Sequence, residues 1–210
     1  MLGLALVPAI AHGGAALITV EADGKNKFSP KVADYIVISG QFYWQWRDST
    51  RKGGTTARKH DVVQDKRLFK SPGGPRKSFP GDFVVSASAG TFPYHCSVHG
   101  GAGGQGMSGK IRAIPTYGAG GRTDDQIEVK WADPTNTTGN QYDVRYKPAG
   151  GTWKNWKKNT SKEQLVFGKN DKPIDVFPGQ TIRFKARSEK AANPSKRSGW
   201  SPPFKATADE

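Results

Sequence analysis

Cys96, the only cysteine of the chain, stands in the run Phe92-Pro93-Tyr94-His95-Cys96-Ser97-Val98-His99-Gly100. Met107, the only methionine besides Met1, follows it, and His60-Asp61-Val62 lies well upstream. A thiolate, two imidazoles and a thioether make a ligand set suited to one redox-active copper ion. Soft sulfur ligands favour Cu(I), imidazole serves both oxidation states, and a trigonal Cys/His/His set with a weak axial Met suits rapid electron exchange. A lone cysteine is ordinarily a small buried hydrophobe and a lone methionine ordinarily core filler. Met107, however, closes the glycine-rich stretch Gly100-Gly101-Ala102-Gly103-Gly104-Gln105-Gly106, where core filler is not expected.

Spacing indicates how such a site is built. Gly90 to Cys96 reads as a strand entered from a turn, with Phe92, Tyr94 and Cys96 on one inward face by two-residue alternation. His99 falls where that strand is expected to break into a loop, and the glycines let the backbone swing around a metal before Met107. Ser108 to Ile114 resumes alternation as the next strand. His95 takes the face opposite Cys96 and is read as a non-ligand. His12, in the N-terminal apolar stretch, is left out as well.

At these residues the chain resembles the plastocyanin and pseudoazurin group of cupredoxins. Phe28-Ser29-Pro30-Lys31-Val32 is similar to the strand before the family's central strand, and Ile36 to Trp44 to the central strand pair. His60-Asp61-Val62 resembles the first-ligand motif, and Phe79 to Phe83 with the Ala89-Gly90-Thr91-Phe92 turn precedes the cysteine loop as in that family. The resemblance covers residues up to about 115 and implies a Greek-key β-sandwich holding one type 1 (blue) copper ion on His60, Cys96, His99 and Met107. It further implies a buried His60, a His99 nearest solvent, and backbone amides and Asp61 adjusting the sulfur. Two departures stand out: the segment between His99 and Met107 is longer than in the family, and residues 47–59 form a long polar insertion before His60.

Glycine (26), proline (14) and many short apolar stretches without a helical period point to all-β sandwiches. No window offers the roughly 18 consecutive apolar residues of a membrane span. Residues 1–15 are apolar and end in small residues, so they are expected to be the remnant of a signal peptide. The alternative is an ordinary first strand starting near Ala16. An extracytoplasmic location (secreted, periplasmic or cell-surface) agrees with a single cysteine that has no disulfide to form.

The copper-domain residues, 16–115, stop before a Gly-rich segment at 116–121, expected to be a linker. Beyond it, Gln126 to Trp131, Tyr142 to Lys147 and Thr181 to Arg187 each alternate between turn residues. With Trp131, Trp153, Trp156 and the ending Ser198-Gly199-Trp200-Ser201-Pro202-Pro203, residues 122–210 resemble a fibronectin type III domain. They depart from it near Ile182, where that family has Tyr. This half contains no His and no Cys, and its tryptophans are expected to pack the sandwich and its rim.

The net charge of +14 divides into +8 through Pro115 and +6 beyond it. Charge spread this evenly, without a stripe of stacking aromatics, argues against nucleic acid. It favours an acidic redox partner, or an anionic cell surface or polysaccharide met through the C-terminal domain, because long-range attraction raises encounter rates. The chain has no His-x-His motif of the kind that builds a second copper centre, so an oxidase is not expected. The expectation is a non-enzymatic one-electron carrier; the alternative is a copper holder or adhesion module.

Overall fold

The computed structural model describes residues 16–21, 24–37, 41–47, 56–86, 88–136, 138–169 and 173–210. The segment 1–15 and most of the 47–59 insertion (residues 48–55) lie outside the described residues, and with them the signal-peptide expectation. The protein is all-β. No helix among the described residues is long and apolar enough to cross a membrane.

The first half contributes β1 (Ala16–Val20), β2 (Phe28–Ser29), β3 (Val32–Ile36), β4 (Gln41–Trp46), β5 (Val63–Gln64), β6 (Phe83–Ser86), β7 (Gly90–Gly101) and β8 (Gln105–Ile114). They form two four-stranded sheets, ordered β2-β1-β4-β6 and β3-β8-β7-β5. The pairs β1/β4 and β3/β8 are parallel, so their connections cross between the sheets. Alternation selects the buried faces. In β4, Phe42, Trp44 and Trp46 point inward while Gln41, Tyr43 and Gln45 do not. In β7, Phe92, Tyr94 and Cys96 continue one buried row. Trp44 meets Tyr94 edge-on across the sheets, with ring centroids 5.3 Å apart, and each such fully buried large side chain contributes about 1.5–3 kcal/mol.

The second half contributes β9 (Thr116–Arg122), β10 (Gln126–Lys130), β11 (Gln141–Pro148), β12 (Lys154–Thr160), β13 (Gln164–Gly168), β14 (Thr181–Lys190), β15 (Asn193–Arg197) and β16 (Phe204–Thr207). One sheet is β13-β10-β9; the other is β12-β11-β14, with both β15 and β16 on β14. The expected linker at 116–121 is therefore corrected: it is strand β9, paired to β10 with Tyr117 opposite Val129 and Arg122 opposite Ile127. Glycine there does not loosen the chain, because a neighbouring strand supplies the hydrogen bonds. The second core centres on Phe167, stacked edge-on against Phe184 and Trp156 of the facing sheet.

The tryptophans of this half are accounted for by packing. Trp156 lies against Trp131, Phe167 and Phe184. Lys185 stands between Trp153 and Trp200, 4.2 and 5.2 Å from their ring centres, and Arg145 and Arg187 also lie over Trp200. These cation–π contacts occupy the faces of both rings.

The two halves meet along a hydrogen-bonded seam at the start of β7. Thr91 and Gly199 exchange both backbone hydrogen bonds at 2.9 Å, and the Thr91 hydroxyl donates to the Trp200 carbonyl at 2.7 Å. Ser88, Thr138 and Ser188, all buried, form a hydroxyl cluster, and Ser188 also donates to the Ala89 carbonyl at 3.0 Å. Substituting Ser188 by Ala leaves the Ala89 carbonyl and Ser88 short of partners inside the protein. The expected loss is about 1–3 kcal/mol, read as a lower urea midpoint; an unchanged midpoint would show that the seam contributes nothing to stability.

Candidate metal centre

The ladder between β7 and β8 runs regularly from Gly90↔Ala113 to His95↔Ser108 and resumes at Gly100↔Gly106. Between those points Cys96, Ser97, Val98 and His99 stand opposite Met107 alone. This bulge brings a thiol and an imidazole together on the strand facing a methionine. Its closure depends on two glycines. A Cβ on Gly106, whose φ is +55°, would stand 2.4 Å from the His99 carbonyl oxygen, and one on Gly100 would stand 2.5 Å from that of Met107. The glycine-rich stretch is thus corrected from a loop to the end of a hairpin: β7 continues through Gly101, β8 starts at Gln105, and Gly103 and Gly104 turn with positive φ.

His60 arrives from outside this hairpin. Its backbone exchanges both hydrogen bonds with Arg76 at 2.9 Å. The Trp46 indole donates to the His60 and Arg76 carbonyls at 3.3 and 3.1 Å. Held in this way, His60 Nδ1 lies 3.7 Å from Cys96 Sγ and 3.2 Å from His99 Nδ1, and His99 Nδ1 lies 3.6 Å from the same sulfur. His60 and Cys96 are buried, whereas His99 is half-buried. Met107, opposite them in the ladder, is 1% exposed. The structure therefore brings together the donor atoms of His60, Cys96 and His99, and places Met107 opposite Cys96–His99 in the ladder. It sets His95 apart on the other face, where its Nδ1 meets Asp65 Oδ1 at 2.8 Å.

The donor atoms fit a first-row metal ion. Such an ion lies about 2.0–2.1 Å from imidazole nitrogen and about 2.3 Å from thiolate sulfur, which separates the donors by about 3.3–3.8 Å in trigonal or tetrahedral arrangements. The observed 3.6 and 3.7 Å fall within this spacing, and 3.2 Å between the two imidazoles lies just below it. Soft sulfur with imidazole suits copper or zinc among the common ions.

The surroundings prepare both ligands. Burial pushes the Cys96 thiol up, opposed by the backbone amides of Asp61, Val98 and His99 beside the sulfur, which favour thiolate. Burial holds His60 below its ordinary value despite the Glu21 carboxylate, so the ring is neutral and can offer Nδ1 as a ligand. Asp61, expected to adjust the sulfur, instead uses both carboxylate oxygens to accept from the Ser97 amide and hydroxyl at 2.7 Å. Its carboxylate thus fixes the bulge, while its backbone amide is the part that meets the sulfur.

Glu21 escapes a reading of the sequence. It is a lone carboxylate at the end of an apolar strand, far from every ligand in the chain. In the fold it is fully buried, and its Oε2 accepts from His60 Nε2 at 2.9 Å. Arg58 holds the same carboxylate through its backbone amide at 3.1 Å and its guanidinium at 3.4 Å. The Glu21 backbone has φ +59°, a conformation uncommon outside glycine, asparagine and aspartate. A carboxylate behind a ligating histidine fixes its tautomer and raises its basicity.

No protein-family model matches the chain, and no curated protein matches it in sequence. Among solved structures, a two-domain fibronectin type III segment of chicken tenascin is similar at 15% identity and TM-score 0.31, over 76% of this chain and 87% of that one. The FN1–FN3 domains of chicken CNTN1 are similar at 12% identity and TM-score 0.30, over 93% of this chain and 66% of that one. The likeness is one of β-domain architecture alone.

Two substitutions probe the centre. Gly106→Ala drives a methyl group into the His99 carbonyl and is expected to cut copper affinity at least about tenfold, the usual scale for disturbing a ligand's support, measured by competition with a chelator. Glu21→Gln keeps an acceptor for His60 but removes the charge. It should retain the metal and raise the Cu(II)/Cu(I) potential, because one negative charge no longer favours the more positive ion. A potential unchanged in Glu21→Gln would show that the carboxylate is only a spacer.

Proposed function

We propose that the first half is a cupredoxin domain with a type 1 copper centre and that the protein carries single electrons between partners. The observation that carries this reading is the convergence of Cys96 Sγ, His60 Nδ1 and His99 Nδ1 at 3.2–3.7 Å from one another, with Met107 closing the bulge. Copper bound there supplies a Cu(I)/Cu(II) couple and so accepts and returns one electron without making or breaking a covalent bond.

The residues have separate parts in this role. Cys96 provides the thiolate and, being buried, keeps water from the sulfur. His60 is held from both sides, by Arg76 and Trp46 along its backbone and by Glu21 at Nε2, so the ring does not reorient when charge changes. A site that keeps its shape in both oxidation states needs little rearrangement for each electron. His99 is the exposed ligand, and beside it Val98 is 56% exposed, giving an apolar edge at which a partner can come close to the imidazole. Met107, buried opposite the cysteine and histidine, would supply a weak thioether donor that tunes the potential of a bound copper ion. Among the described residues no group in the second half is placed to do chemistry at this centre, and that half acts as the positioning and binding domain of an extracytoplasmic protein.

Copper-loaded protein is expected to be intensely coloured when oxidised and colourless when reduced, with the colour lost in Cys96→Ala. A colour that survived that substitution, or a copper-loaded protein without an intense visible band, would refute the assignment. Met107→Leu is expected to keep copper and raise the potential, since loss of a weak donor costs Cu(II) more than Cu(I). Titration against a reversible one-electron mediator separates this carrier role from simple copper storage, because storage does not require a rapid, reversible couple.

A further inference from the structure

A cleft of about 790 Å³ opens at the junction of the two halves, between the β5 turn, the tip of the β7–β8 hairpin and the end of β15. Its volume lies in the range of small-ligand sites, about 300–1,000 Å³. Lys31, Lys66, Lys110 and Arg197 line it. Among the described residues none of these four cations forms an ion pair. Asp65 is the one acid in the lining, and both its oxygens are occupied, by His95 Nδ1 at 2.8 Å and the Gly103 amide at 2.9 Å. Glu189, opposite Arg197 in the β14–β15 ladder, offsets part of the charge of that one residue.

A buried donor stands in the same wall. Gln64 is 0% exposed, and its Oε1 accepts from the Lys66 and Leu68 amides at 2.8 and 3.1 Å. Those two bonds fix which end of the amide is oxygen, and the Nε2 end is left without a partner among the described residues. A buried amide donor without an acceptor costs about 1–3 kcal/mol, and with no accessible surface this one stays behind the wall of the cleft. The lining contains no aromatic side chain, so it offers no platform on which bases could stack. A concave wall of one sign also focuses its field into the cleft.

We propose that this cleft binds a short anionic oligosaccharide, its carboxylate or sulfate groups held by Lys31, Lys66, Lys110 and Arg197. The site takes residues from both halves, so it exists only where the seam between Thr91 and Gly199 is intact. It requires no metal, and its fate is separate from that of the copper reading.

The test is calorimetric titration of the full chain with tetragalacturonate, a heparin-derived tetrasaccharide, maltotetraose and a short oligothymidylate. Saturable binding of either charged glycan, with none of maltotetraose, is expected; carboxylate and sulfate sources are told apart by which one binds more tightly. Substituting Lys110→Gln and Arg197→Gln together should weaken that binding about tenfold or more, the scale for losing hydrogen bonds to charged groups. The pair Lys154→Gln and Lys158→Gln, which removes the same charge from residues outside the lining, should leave it within about twofold. Failure of both charged glycans to bind would overturn the proposal, as would equal weakening by the two double variants. Tighter binding of the oligothymidylate than of either glycan would assign the cleft to nucleic acid instead.

Discussion

Between His95 and Gly100 the pairing of β7 with β8 gives way, and four residues of one strand are accommodated against Met107 of the other. Everything at the centre follows from that mismatch. A regular ladder would turn Cys96 and Met107 into two ordinary members of a buried row and carry His99 away from them. The bulge curls the backbone so that the amides of Val98 and His99 stand by the sulfur, and Asp61 ties the curl at Ser97. The Gly100–Gly106 pair then restores the ladder in the least space available, with the two backbones closer than any side chain would allow.

The rigidity of this arrangement is borrowed from the strands behind it. Cys96 is the last residue of the Phe92–Tyr94–Cys96 row, and that row is locked edge-on against Trp44 and flanked by Phe28. At its other end the same strand is bonded to the second half through Thr91 and Gly199. One strand thus joins the interdomain seam, the aromatic core and the candidate ligands, and a disturbance of any of the three is felt along it.

Much of this was legible in the sequence, because a strand writes its inward face in every second residue. The rows Phe92/Tyr94/Cys96 and Phe42/Trp44/Trp46, the two β-rich halves and the four sulfur and imidazole donors could all be read from spacing. The glycine-rich stretches could not. In residues 116–121 and 100–106, glycine reads as freedom when a chain is considered alone, whereas here it permits close pairing with a neighbouring strand. Glu21 was invisible for a different reason: its partner is 39 positions away, and nothing local to a strand end marks a carboxylate that will be drawn under a histidine. The division of labour for Asp61 was also hidden, since adjacency to His60 does not say whether its carboxylate or its backbone amide faces the sulfur.

The pairing of Glu21 with His60 bears on the order in which the protein is assembled. Cys96, His99 and Met107 belong to one hairpin and can meet through local folding, which is fast because little chain must be closed into a loop. His60 reaches its place only once β4 has docked, and Glu21 only once β1 has paired in parallel with β4, a contact made across a long stretch of chain. The hairpin alone therefore presents two sulfurs and one imidazole, a soft site open to water, before the rigid site exists. Folding then adds to this open set of donors a neutral imidazole with a buried anion behind it. The fully assembled centre is in this sense a checkpoint on the fold: the last ligand is in position only when the first strand of the described chain has found its partner.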